Sequence, residues 1–170
     1  MVLRAAAPDD REALVGIRSK PEVRDRWRGD DLETEFDTDL VDPELHLLVI
    51  ADRQGGVLGA VQWSEETDPD YRHASMDIYL DPAVHGRGIG TDAIRTLARH
   101  LFDVEHHHRL VIDPAADNMA AIRSYEKAGF RLVGVMRQYE RGEDGRWHDG
   151  LLMELLADDF HTAGPGDDRS

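Results

Sequence analysis

The sequence predicts a mixed α/β fold: one domain over residues 1–160, with a mostly antiparallel sheet of about seven strands flanked by about four helices, then a flexible tail over 161–170. Three observations lead there. Residues 45–51 and 57–63 are apolar runs joined by Asp52-Arg53-Gln54-Gly55-Gly56, which reads as an antiparallel hairpin. Residues 91–102 repeat Ile94, Leu97, Ala98 and Leu101 at i, i+3, i+4, i+7, the spacing of one buried helix face. A short apolar strand, a second helix and two further strands follow, and a strand separated from an earlier one by a helix is placed to pair with it in parallel.

In chain order, residues 2–5 read as a first strand. Pro8, Asp9 and Asp10 start a helix whose Leu14 and Ile17 share a face, and residues 22–28 form a second helical piece. After the hairpin, residues 73–80 alternate: Met76, Ile78 and Leu80 face one side, Ser75, Asp77 and Tyr79 the other, which puts a carboxylate on a sheet face. Residues 110–112 are a brief strand, and residues 120–128 a helix closed by Gly129 at the position that favours a left-handed residue. Residues 130–136 and 151–156 are the last strands, with the polar, glycine-punctuated stretch 140–150 as their loop.

Composition narrows the function. The 170 residues carry 35 Asp plus Glu against 20 Lys plus Arg, a formal charge of −15, and the excess sits in residues 30–84, which sum to −13. Such a field repels nucleic acid and attracts cations, although the base-free run from Asp30 to Glu44 also reads as a solvated loop. The absence of cysteine excludes disulfides, thiolate metal sites and a cysteine nucleophile. No apolar run approaches the roughly 18 residues of a membrane span and no signal-like segment opens the chain, so a cytoplasmic location without membrane partners is expected. His106, His107 and His108 are consecutive and cannot all point one way, so no metal site is expected there.

The chemistry concentrates after Leu80. The segment Asp81-Pro82-Ala83-Val84 leads into His85-Gly86-Arg87-Gly88-Ile89-Gly90 and then directly into the helix, with Thr91 in its first turn. Glycines let backbone N–H groups turn toward an anion, and a helix N-terminus adds its positive end, so the segment is a candidate phosphate cradle. Alone it also reads as a tight turn. Further on, Asn118 opens a helix that carries Ser124 and Tyr125, and Asn118 and Tyr125 share a face.

These two motifs, in this order, resemble the GNAT superfamily of acetyl-coenzyme A dependent N-acetyltransferases. The family signature Gln/Arg-x-x-Gly-x-Gly/Ala is matched by residues 85–90, with His85 in place of the usual Gln or Arg. The resemblance implies that residues 85–91, with Asn118 and Ser124, hold coenzyme A, and that backbone at Ile78, Tyr79 and Leu80 receives the thioester carbonyl. It implies that Tyr125 protonates the departing sulfur. Asp77, beside that segment, is the candidate base, or else it simply binds the acceptor's ammonium. With no cysteine and no recognisable Ser-His-Asp set, transfer is expected to be direct.

The closer likeness is to aminoglycoside 6′-N-acetyltransferases. It rests on residues 65–69, on Asp77 before two hydrophobic residues, and on Asp113-Pro114 followed by Asn118 and residues 125–130. It implies that Trp27, Asp77 and Asp113 contact the antibiotic; Trp27 also reads as core, and Asp113 as turn chemistry. The expected acceptor is therefore a primary amine of a cationic small molecule, with an aminoglycoside 6′-amine first. Siderophore precursors, polyamines, protein N-termini and a non-catalytic acyl-coenzyme A sensor are the alternatives, and the protein is expected to be a monomer or homodimer.

Overall fold

The computed structural model describes residues 1–27, 29–142 and 144–162. Its strands are β1 (Val2–Ala5), β2 (His46–Ala51), β3 (Val57–Glu66), β4 (His73–Leu80), β5 (Arg109–Ile112), β6 (Arg131–Arg141) and β7 (Trp147–Leu156). Its helices are α1 (Arg11–Arg18), α2 (Pro21–Arg24), α3 (Leu32–Val41), α4 (Ile89–Asp103), α5 (Met119–Ala128) and α6 (Ala157–Thr162), with 3₁₀ turns at Pro8–Asp10 and Pro82–Val84. The strands hydrogen-bond in the order β1-β2-β3-β4-β5-β7-β6. β4 and β5 run parallel, with Ala74 opposite Leu110 and Ser75 opposite Val111. The β1–β2, β2–β3, β5–β7 and β6–β7 pairs are antiparallel.

The chain divides into two compact units, Met1–Ser64 with Met76–Leu97, and Glu65–Ser75 with Ala98–Ser170. In the first, the unbroken apolar run of β2 reflects burial on both faces. Val49, Ala51 and Ala60 join Leu14, Ile17, Val23, Phe36 and Tyr79 in one core, and Ile50 and Val61, one step along their strands, are fully buried too. Asp10 is buried just before α1, taking the Arg4 guanidinium on both oxygens at 2.6 and 2.7 Å and the Ala7 N–H at 2.9 Å. The hydrogen bonds from Arg4 hold its carboxyl below the usual range.

Three elements differ from the sequence expectation. The acidic run is not a loop throughout: α3 forms there, capped by the Asp31 side chain on the Thr34 N–H at 3.1 Å, with Leu32 and Phe36 buried one turn apart. The second helical piece is a single turn starting at Pro21, although the Trp27 N–H still reaches the Val23 carbonyl at 2.7 Å; Arg28 lies outside the described residues. The closing hairpin is longer than expected, because β6 runs on to Arg141 and β7 begins at Trp147. With α3 and α6 there are six helices among the described residues, where about four were expected.

In the second unit, Leu110, Ile112, Met153 and Leu155 make the buried centre, and Phe102 meets Phe160 at 5.3 Å. β6 closes the strand order, with Leu132, Val133 and Val135 exposed along it and with register shifts between Leu132 and Gly134 and between Met136 and Glu140.

Candidate active site

The glycine loop is built on a fixed corner. Lys20 Nζ reaches both carboxylate oxygens of Asp81 at 2.7 Å, while Asp81 accepts the Ala83 N–H at 2.9 Å and its own N–H reaches the Leu58 carbonyl at 2.8 Å. Hydrogen bonding from Lys20 holds the Asp81 carboxyl below its ordinary range. His85, where the family places Gln or Arg, sets Nε2 3.2 Å from the Leu80 carbonyl, so the ring carries its proton on Nε2 and ties the loop to the end of β4.

Gly86 and Gly88 then adopt left-handed φ of +73° and +78°, and a Cβ at either would meet nothing within 4 Å. Exposed Arg87 lies between them, and α4 begins at Ile89. The first intrahelical bond is Asp92 N–H to the Gly88 carbonyl, at 3.0 Å, so by helix geometry the N–H groups of residues 88–91 have no acceptor within α4. Open space beside a left-handed loop and a helix N-terminus fits a pyrophosphate.

On β4, Asp77 is exposed and its Oδ1 accepts the Ile78 N–H at 2.9 Å. That bond fixes the carboxylate, and it occupies the first of the three backbone groups expected to receive a carbonyl oxygen. Tyr79, two residues on and on the same face, turns inward: its side chain is 8% exposed and burial pushes its phenol up. Tyr79 therefore gives its ring to the core. Trp27 is half-buried, edge-on to Tyr79 at 4.8 Å, with the Arg18 guanidinium 5.9 Å over its ring. Trp27 packs on the core and also lines a hollow with Arg18, Asp39, Gln62 and Tyr79.

On the second unit, Asn118 caps α5 by accepting the Ala121 N–H at 3.2 Å. Tyr125, one turn before the left-handed Gly129, is 6% exposed and lies 6.4 Å from the Phe130 ring; half-buried Ser124 precedes it. Asp113 is exposed just past β5, and its Oδ2 accepts a hydrogen bond from the Tyr139 hydroxyl. Tyr139 escaped the sequence reading because it falls between the strand expected to end at residue 136 and the loop expected to begin at residue 140; the alternation that would mark it as strand is broken by the bulge around Gln138.

Among the described residues, no group of three or more His, Cys, Asp or Glu is arranged to hold a metal ion. His107 instead fills a buried corner, with Nε2 3.4 Å from Glu65. Burial and then nearby Arg72 disfavour its protonated form, aided by His108 and opposed by Glu65 and Glu105, and the balance lowers its pKa. Unfolding therefore takes up a proton where the free ring is charged and the folded one is not. This part of the stability is complete above a pH of about 6.5 and declines as pH falls. His107→Gln should show a smaller loss of melting temperature than the parent between pH 7 and pH 5. An equal loss in both proteins, read by scanning calorimetry, would exclude His107 as the source.

A family described as "Acetyltransferase (GNAT) domain" matches residues 1–131. The chain belongs to the GNAT acetyltransferase family. It is 38% identical over 74 residues to the kanamycin resistance protein of Rhizobium radiobacter, a stretch covering 44% of this chain and 68% of that one. It is equally identical over 74 residues to the aminoglycoside N(6′)-acetyltransferase type 1 of Klebsiella pneumoniae, covering 44% of this chain and 36% of that protein. The fold is shared with a Vibrio cholerae spermidine N-acetyltransferase solved with coenzyme A and spermine, at a TM-score of 0.82 and 22% identity, over 94% of this chain and 97% of that one. GNAT proteins use acetyl-coenzyme A, and the GNAT match spans the glycine loop, Asp77, Asp113, Asn118 and Tyr125.

Proposed function

We propose that the protein transfers an acetyl group from acetyl-coenzyme A directly to a primary amine of a cationic small molecule, with the 6′-amine of an aminoglycoside as the first acceptor. The observation that carries the reading is Asp77, an exposed carboxylate fixed by the adjacent Ile78 N–H at 2.9 Å in a chain of net charge −15. The names of the two sequence relatives favour an aminoglycoside. A polyamine is the second acceptor class, and it satisfies the same carboxylate.

Coenzyme A, when bound, presents the acetyl group as a thioester. Residues 86–91 hold its pyrophosphate through backbone N–H groups, with His85 fastening the loop to β4. Asp77 binds the acceptor's ammonium and receives its proton, directly or through water, so that the nitrogen lone pair can attack the carbonyl carbon. Backbone N–H groups at Tyr79 and Leu80 receive the carbonyl oxygen as charge builds on it. As the carbon–sulfur bond breaks, the Tyr125 hydroxyl delivers its proton to sulfur, and the nitrogen's second proton leaves to solvent.

Coenzyme A release, followed over a panel of aminoglycosides, polyamines, siderophore precursors and short peptides, tests this. Turnover with aminoglycosides bearing a 6′-amine and none with 6′-hydroxyl analogues is the expected result. Turnover confined to peptides would overturn the cationic small-molecule acceptor. Acetyl-coenzyme A binding without turnover on any amine would leave a sensor.

A further inference from the structure

We propose that Tyr139 is a specificity-determining residue: its hydroxyl orients the Asp113 carboxylate, and its ring forms with that carboxylate a seat for a second ammonium of a polycationic acceptor. The inference rests on the acetyltransferase reading above. Neither Tyr139 nor the glycine beneath it lies in the segment matched by the family, which ends at residue 131.

The geometry is built from one short stretch of β7. On one side, the segment after Asp113 is pinned to β7 by the Leu151 N–H on the Pro114 carbonyl and the Ala116 N–H on the Asp149 carbonyl, both at 2.9 Å, and by a bridge between Ala115 and Gly150. On the other side, β6 bulges between Met136 and Glu140, where Gln138 takes a left-handed φ of +52°. The Gln138 N–H is held by Asp149 Oδ1 at 2.8 Å. A non-glycine residue in that conformation costs on the order of 1 kcal/mol or more, and it persists where its surroundings fix it.

Gly150 completes the arrangement. A Cβ there would come within 2.9 Å of Tyr139 Cδ1, so the ring lies against bare backbone. Residues 149–151 thus locate both partners of the Tyr139–Asp113 bond, 26 residues apart in sequence.

The chemistry this places at the surface suits an organic cation. The Tyr139 side chain is about half exposed, at 50%, beside an exposed carboxylate. Among the described residues, Tyr139 is the hydrogen-bond partner of Asp113, and it takes Oδ2, leaving Oδ1 for an ammonium donor. A carboxylate and an aromatic face together bind an alkylammonium by charge-assisted hydrogen bonding and cation–π attraction. An acceptor with a single ammonium has no second charge to place in such a seat.

Steady-state kinetics on Tyr139→Phe with a polyamine, an aminoglycoside and a simple monoamine test the proposal. The phenyl ring still fits against Gly150, so a folded variant is expected, checked by its melting temperature. Loss of the hydroxyl should raise KM for the two polycations about tenfold, as for a hydrogen bond to a charged group. Their kcat and the monoamine's KM should change less than about twofold. Gly150→Ala, which displaces the ring, should reproduce the polycation defect.

A Tyr139→Phe variant with unaltered KM for every acceptor, or with the same change for monoamine and polycations, would overturn the proposal. Failure of the parent protein to acetylate any of the three amines would instead remove the functional reading and this inference with it.

Discussion

Tyr125→Phe should lower kcat by about 10² to 10⁴, the usual contribution of a placed general acid, while acetyl-coenzyme A binding stays within about twofold. The side chain is 6% exposed beside Phe130, so the substitution removes one oxygen and keeps the packing. A leaving group that still receives its proton from water would show a variant retaining more than about a tenth of parental kcat. Single-turnover acetylation, with coenzyme A binding measured separately by calorimetry, distinguishes these outcomes.

Gly59→Ala should cost about 3 kcal/mol or more, lowering the melting temperature by roughly 6–12 °C for a chain of this size. Gly59 sits in β3 opposite Ile50, beside the bulge at Ala51. A Cβ there would lie 2.2 Å from the Tyr79 carbonyl oxygen and 2.8 Å from Leu80 Cα, both backbone atoms, so the strand itself must move. That backbone is the segment proposed to receive the thioester carbonyl, and KM for acetyl-coenzyme A should rise with the loss of stability. Gly16 in α1 provides the contrast, because a Cβ there meets nothing within 4 Å. Gly16→Ala should be neutral or stabilising by about 0.5–1 kcal/mol. Comparable destabilisation in both variants would remove the close approach as the cause.

The contrast between the two glycines also marks what the sequence could carry. Local sequence pattern located β1, β2, β4, β5, α4 and α5 to within a residue or two; α4 and α5 each bury a regularly spaced face and β2 and β5 are short apolar runs, whereas β1 is largely exposed. α3 was hidden by its composition: Leu32, Phe36 and Leu40 do follow helical spacing, but the acids around them outweigh three apolar residues in any reading of charge. The long closing hairpin was hidden by its bulges, which break the period of two on which strand recognition depends. Among the candidate site residues, the glycine loop, Asp77 and Tyr125 stand in local motifs, and the structure presents them on the expected elements. The inward turn of Tyr79 and the Tyr139–Asp113 bond are tertiary facts, set by contacts that no local pattern encodes, whereas the occupied Ile78 N–H is a contact between neighbours that residue type alone does not announce.

The last strand has a further consequence outside the chemistry. β6 is eleven residues long and ends the strand order, so among the described residues one side of its backbone pairs with no other strand and is a template for another chain. Leu132, Val133 and Val135 make that edge sticky, but Arg131, Arg137 and Arg141 interrupt it, and two register shifts bend it. Charge and irregularity are the means by which natural sheets avoid growing by strand addition. The same bulge that sets Tyr139 beside Asp113 therefore also breaks the regular backbone that an added strand would need for pairing.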